Sequence, residues 1–160
     1  MCRFHAKQVY DQEILVGLKY VWRLDDDSLL LTTINYDLFA FMDRHRLQYG
    51  YIYLWKLPDE VNWTKYLWEA AKLYKKTRQI ESQYFDSWTE PHAFFNNFEI
   101  SDLSLWTSQQ YKDYIDYIDL LGGIYYYRWG DAPIKTIAVT LFLRVEDTHL
   151  FSRPNISYNL

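Results

Sequence analysis

The alternation of two kinds of apolar run constrains this chain most. Dense aromatic and β-branched stretches, which suit a pleated strand, alternate with stretches whose apolar residues recur at helical spacing. "LKYVWRL" (18–24) reads as a strand that enters a turn at "DDDS". "NYDLFAFMDRH" (35–45) is predicted as a short amphipathic helix, with Leu38, Phe41 and Met42 on one face and Asn35 as its N-cap. "YGYIYLWKL" (49–57) alternates as one strand. From Val61 to about Ile80, Trp63, Leu67, Ala70 and Tyr74 recur at helical spacing. "FFNNFEI" (94–100) reads as a strand leading into a cap region at Ser101-Asp102. "SQQYKDYIDYIDLLGG" (108–123) places Tyr111, Ile115 and Ile118 on one helix face, with Gly122 as the stop. "IYYYRW" (124–129) is predicted as a strand and "APIKTIAVTLFL" (132–143) as a helix, with Pro133 near its start and Asp131 as its cap. "THLFS" (148–152) closes the pattern as a short strand.

No repeat or low-complexity linker interrupts these 160 residues, so the chain reads as one folding unit. At 49% apolar and 24% charged residues it is able to bury a core. A net charge of −4 leaves no basic stripe for phosphates, which argues against a nucleic-acid partner. Lys72, Lys75, Lys76 and Arg78 share their helix end with Glu69 and Glu81 and read as a solvated face. Cys2 alone excludes an internal disulfide framework. No stretch approaches the ~18 to 20 apolar residues of a membrane span, and "MCRFHAKQVY" is neither a signal peptide nor an anchor. Aromatic residues make up 20% of the chain; they serve a core equally well as a flat amphipathic wall for sugars or bases.

The pattern predicts an α/β fold with functional residues at strand ends. Three such ends carry carboxylates: Asp25 to Asp27, Glu99 and Asp131. Asp25 and Asp27 suit a hard divalent cation such as Mg²⁺ or Mn²⁺, or else form an acidic turn. Glu99, between Phe98 and Ile100, is either a paired strand glutamate or a base or nucleophile facing a cleft. His92 in "TEPHAFF" reads as a loop histidine, and no His/Cys spacing suggests zinc. No G-x-S-x-G, phosphate-cradling loop or dinucleotide fingerprint is present, so a serine triad and a Rossmann site are unsupported.

Taken in order, "MCRF", "KYVWRLDDD", "INYDLFAFM", "YGY", "FFNNFEISDLSLW", "YIDYIDLLGGIYYYRWGDAPIKTIAVTLFL" and "THLF" resemble the fungal Golgi α-1,2-mannosyltransferases of the Kre2/Mnt1 type, glycosyltransferase family 15. The resemblance covers nearly the whole chain and is most specific over 122–143. It implies a partial GT-A-type α/β fold, a mixed sheet flanked by helices, and mannose transfer with retention from GDP-mannose to a mannose hydroxyl. The implied acceptor is a mannosylated N- or O-linked glycan or glycoprotein, in the Golgi lumen or membrane, with Mn²⁺ as cofactor. By the same resemblance Trp22, Arg23, Asn97, Arg128 and Trp129 bind substrate. Glu99 is the nucleophile or charge-stabilising group, and Asp131 both caps its helix and faces the sugar. Asp25-Asp26-Asp27 stands where the family has Glu-Pro-Asp, which assigns the metal to Asp25 and Asp27. The family's residues before "MCRF", with much of its nucleotide-binding half, have no counterpart here. Its metal-binding histidine falls where this chain has "SRPNISYNL". The alternative expectation is a non-catalytic glycan-binding or scaffold relative.

Overall fold

The structure, a computed structural model, describes residues 1–26, 28, 30, 33–58 and 62–151, with residues 62 and 63 as backbone only. The chain opens with a short helix α1 (Cys2–Ala6) and two 3-10 turns, then strand β1 (Tyr20–Leu24). Helix α2 (Leu38–Arg44) precedes β2 (Tyr49–Tyr51), β3 (Leu54–Lys56) and the long helix α3 (Asn62–Thr77). After α4 (Gln83–Ser87) come β4 (His92–Phe94) and β5 (Phe98–Asp102). Four helices follow, α5 (Leu103–Thr107), α6 (Gln109–Leu120), α7 (Gly123–Tyr126) and α8 (Asp131–Phe142), and β6 (Thr148–Leu150) ends the described chain.

A four-stranded sheet runs in the order β1-β5-β2-β6, and β3 pairs with β4 in a second, two-stranded sheet. β5 is antiparallel to both neighbours while β2 and β6 are parallel, so the main sheet is mixed. Strand β5 is buried along its whole length because both faces are covered. Phe98 and Ile100 face a small apolar cluster with Leu38, Met42, Leu47 and Phe151. The opposite face meets the main core, built from α3, α5, α6 and α8. Every residue of α8 from Ala132 to Leu141 is buried, which explains a run with no solvated polar face, its apolar residues spread around the helix and interrupted only by Lys135, Thr136 and Thr140.

The predicted strand 49–57 is two strands in two sheets. The break lies at Ile52-Tyr53, where the Tyr53 carbonyl accepts from Phe95 N–H and turns the chain toward β4. The segment 94–100 divides in the same place, into β4 and β5. The predicted strand 124–129 is corrected: it is the short helix α7 and a tight return. The amides of Tyr125 and Tyr126 donate to the Gly122 carbonyl, and those of Tyr127 and Trp129 donate to Gly123. A Cβ on Gly123 would stand 2.2 Å from Trp129 Cε3, so only glycine lets the indole fold onto this turn. Gly122, at φ 68°, ends α6 as expected.

Two capping assignments also change. Asp37, not Asn35, caps α2, and its carboxylate accepts from the amides of Phe39 and Ala40. Gly130 occupies the N-cap of α8, and Asp131 is its first helical residue. The Asp131 carboxylate is engaged elsewhere.

Candidate active site

Direct cross-strand neighbours in an antiparallel pair share a face, and Arg23 of β1 stands opposite Glu99 of β5. Tyr51 of β2 flanks Glu99 on the other side, and Tyr49 pairs in register with Ser101. This places a polar row on the inner face of the sheet, beneath α8. From α8, Asp131 and Lys135 project four residues apart onto one helix face. Asp131 accepts from Arg23 Nη1 and, at 2.8 Å, from Asn96 Nδ2. Lys135 Nζ donates to Oε1 of Glu99.

The two ends of this arrangement differ in access. Arg23 also reaches Asp25 Oδ1 at 3.3 Å, so Asp25, Arg23 and Asp131 form an ion cluster at the rim. Burial favours a protonated Asp131, but the hydrogen bond and charge of Arg23, with Lys135 behind, outweigh it and hold the carboxyl below the usual range. Glu99, 1% exposed, has its oxygens engaged by protein: Tyr49 donates to Oε2 at 3.1 Å, and Lys135 and Ser101 share Oε1. Lys135, also 1% exposed, lies over the rings of Tyr10 and Trp106. Burial lowers its ammonium pKa below the ordinary lysine value, with Glu99 opposing the shift.

Arg23, Asp25, Asp131 and Glu99 are therefore gathered into one region. The other anticipated residues are placed differently. Trp22 lies on the opposite face of β1, edge-on to Phe98 at 5.2 Å, with its indole N–H buried and unpaired among the described residues. Asn97 is half-exposed, and its neighbour Asn96 holds Asp131 instead. Arg128 is exposed in the left-handed region at φ 59°. Trp129 is buried against Gly123, and its indole N–H is also unpaired among the described residues. Asp27 lies outside the described residues.

Lys135, Asn96, Tyr49 and His5 were missed from sequence. His5, on α1, is close enough to Arg23, Asp131, Lys135 and Asp25 to feel their charges; burial first, then Arg23, lowers its imidazole pKa. Lys135 had a signal, being the only charge in the run 132–143.

The described residues do not fit a Mn²⁺ site by themselves. Asp25 is occupied by a guanidinium, and no group of three His, Cys, Asp or Glu able to hold a metal is found among them. No helix of the described residues is long and apolar enough to cross a membrane.

The mixed sheet flanked by helices matches part of the GT-A-like fold of solved mannosyltransferases. Two solved structures share it over the whole of this chain. Core-mannan synthase A (CmsA/Ktr4) from Aspergillus fumigatus, in a Mn/GDP form, superposes with a TM-score of 0.86 at 29% identity and is 47% covered. The mannosyltransferase Ktr4p from S. cerevisiae in complex with GDP superposes at 0.82 with 28% identity and is 44% covered. The family described as glycolipid 2-alpha-mannosyltransferase matches residues 1–160, and the chain belongs to it. The probable mannosyltransferase MNT3 of Candida albicans is 33% identical over 99% of this chain and 42% of its own length. The alpha-1,2 mannosyltransferase KTR1 of Saccharomyces cerevisiae is 32% identical over 94% of this chain and 40% of its own. The chain thus spans less than half the length of the relatives it matches.

Proposed function

We propose that residues 1–160 are one mannosyltransferase unit that moves mannose from GDP-mannose to a mannose hydroxyl of an N- or O-linked glycan with retention, in the Golgi. The observation that carries this reading is the meeting of Arg23, Asp131 and Glu99 on one sheet face in a chain of this family. A transferring glycosyl group develops positive charge at its anomeric carbon, and a fixed carboxylate nearby lowers the barrier. Glu99 is the group for that role, either by adding to the carbon or by stabilising its charge. Asp131 and Arg23 line the accessible rim, where Asp131 would accept from a sugar hydroxyl; Asn97 and Arg128 are proposed to bind substrate beyond it, while the buried Trp129 would act only by shaping the turn that carries Arg128. Mn²⁺ on the departing diphosphate would need Asp27 in addition to Asp25.

The second reading, a non-catalytic glycan-binding or scaffold relative, is favoured by one specific observation. Glu99 is sealed, with its oxygens hydrogen-bonded to protein, as suits a structural ion pair.

Glu99→Gln separates the two. The amide keeps the volume but loses the charge, so transfer from GDP-mannose to α-methyl mannoside should fall by about 10²- to 10³-fold with GDP binding retained. Unchanged turnover per folded molecule, beside a lowered melting temperature, would make Glu99 a structural residue of an active transferase, and no transfer by the folded native protein would establish the non-catalytic reading.

A further inference from the structure

The buried amine of Lys135 is the one cation within hydrogen-bond reach of Glu99 among the described residues, and the proposed reaction gives it no part. A lysine is almost never sealed unless paired, and a single hydrophobic residue at this point of α8 would fill the same space without an ion. Its Nζ is nonetheless aimed at Oε1 of Glu99, and its position is fixed on two further sides. The Tyr10 and Trp106 ring centroids lie 5.4 and 4.7 Å from Nζ, so the cation rests on aromatic faces instead of water. Trp106 in turn donates to Ser101 Oγ at 2.7 Å, and Ser101 shares Oε1 with the lysine. The box around the carboxylate is closed by Tyr49, which holds the other oxygen.

We propose that Lys135 is a positioning residue of the transfer site, which holds Glu99 as a charged carboxylate in one orientation. This rests on the reading of Glu99 as the carboxylate that meets developing positive charge. A sealed carboxylate without a cation beside it takes up a proton, and a protonated acid neither adds to a sugar carbon nor stabilises its charge. The other charges do not replace Lys135. Arg23 stands opposite Glu99 across the strand pair, but its guanidinium is committed to Asp131 and Asp25. Tyr10, Tyr49 and Tyr111 face Glu99 from three elements, and their phenols are pushed well above the ordinary value, by burial first, so they remain neutral donors. His5 and Asp131 face Lys135 from α1 and α8 at the rim.

The test reads the protonation of the pair directly, by carbon NMR of protein labelled at glutamate carboxyl groups, with the Glu99 signal identified by its loss in E99Q. At neutral pH the signal should be that of a carboxylate in the native protein and of a carboxylic acid in K135M. A carboxylic acid in the native protein, or an unchanged carboxylate in folded K135M, overturns the proposal. Should K135M not fold, nitrogen NMR of labelled lysine decides on the native chain: Nζ of Lys135 must be an ammonium, and a neutral amine overturns the proposal. Activity separates this inference from the one beneath it. K135M should lose at least about tenfold in transfer at neutral pH, with the acidic limb of its pH profile displaced upward. If E99Q is inactive while folded K135M keeps the native rate and profile, Lys135 has no positioning role and Glu99 keeps its own. If the NMR result is as expected but E99Q transfers normally, the pair holds charge outside catalysis, and the transferase reading of Glu99 falls.

Discussion

Glu99 and Asp131 are both carboxylates that meet a cation on the same face of the same sheet, yet they differ in depth. The side chains of Glu99 and Lys135 are 1% and 2% exposed; those of Asp131 and Arg23 are 16% and 20% exposed. An interior pair has no water to take over when one member is lost, so its two charges stand or fall together. A rim pair exchanges partner for water, or for a substrate hydroxyl, at a much smaller cost. Depth, more than the identity of the groups, sets which carboxylate is fixed equipment and which is free to change partners.

The strongest way to break this comparison is to orphan Glu99. Lys135→Met leaves a buried carboxylate with no cation of its own and should cost about 3–5 kcal/mol of stability. Adding Glu99→Leu removes the stranded charge and should recover most of that loss. Urea unfolding of the single and double variants checks it, through the failure of the two effects to add. A loss below about 1 kcal/mol for Lys135→Met would show that water reaches the pair.

Asp131 sharpens the same contrast through pH. Its folded-state pKa lies below the ordinary carboxylate value of about 3.9. Its contribution to stability is therefore whole above that value and is lost as the pH falls through the folded one. Asp131→Asn keeps the shape but weakens the bonds from Arg23 and Asn96, a loss of about 1.5–3 kcal/mol at neutral pH for charge-assisted hydrogen bonds. The difference between native and variant stability should be constant from neutral pH to about pH 4 and shrink only below that, measured by denaturant midpoints from neutral pH down into strong acid. A constant difference across that range would mean that Asp131 acts through packing alone.

These differences in depth were only partly legible in the sequence. The α/β alternation carried over because period and turn residues are local signals, as at β1, α6 and α8, whereas Asp131 follows a helix and Glu99 lies inside β5, so two of the three expected strand-end carboxylates are not at strand ends. The segment 124–129 misled because three tyrosines suit a strand by propensity, while the return of Trp129 onto Gly123 is a tertiary contact. Asp131 read as a cap for a similar reason: its place before the apolar run is the right one locally, and Arg23, 108 residues away, takes the side chain instead. Asn97 and Asn96 are neighbours that the sequence does not rank, and the backbone turn between β4 and β5 chooses Asn96. The isolated cation in the run 132–143 was visible, but its partner on β5 follows only from the packing of α8 on the sheet.

The smallest expected effect uses a carboxylate with purely local work as the control. Asp37 caps α2 where Asp131 is the first residue of α8; its oxygen accepts from the amides of Phe39 at 2.8 Å and Ala40 at 3.0 Å, and it bonds to no other element among the described residues. Asp37→Ala should therefore cost about 1 kcal/mol, the worth of an N-cap, with Asn35→Ala close to neutral. Because capping by a hydrogen-bond acceptor survives amidation, Asp37→Asn should be nearly as stable as the native chain, whereas Asp131→Asn should not be. Thermal melts of the four variants at one pH make the comparison. Equal losses for the two Asp→Asn changes would place Asp131 back among the caps and remove the distinction that its ion pair draws.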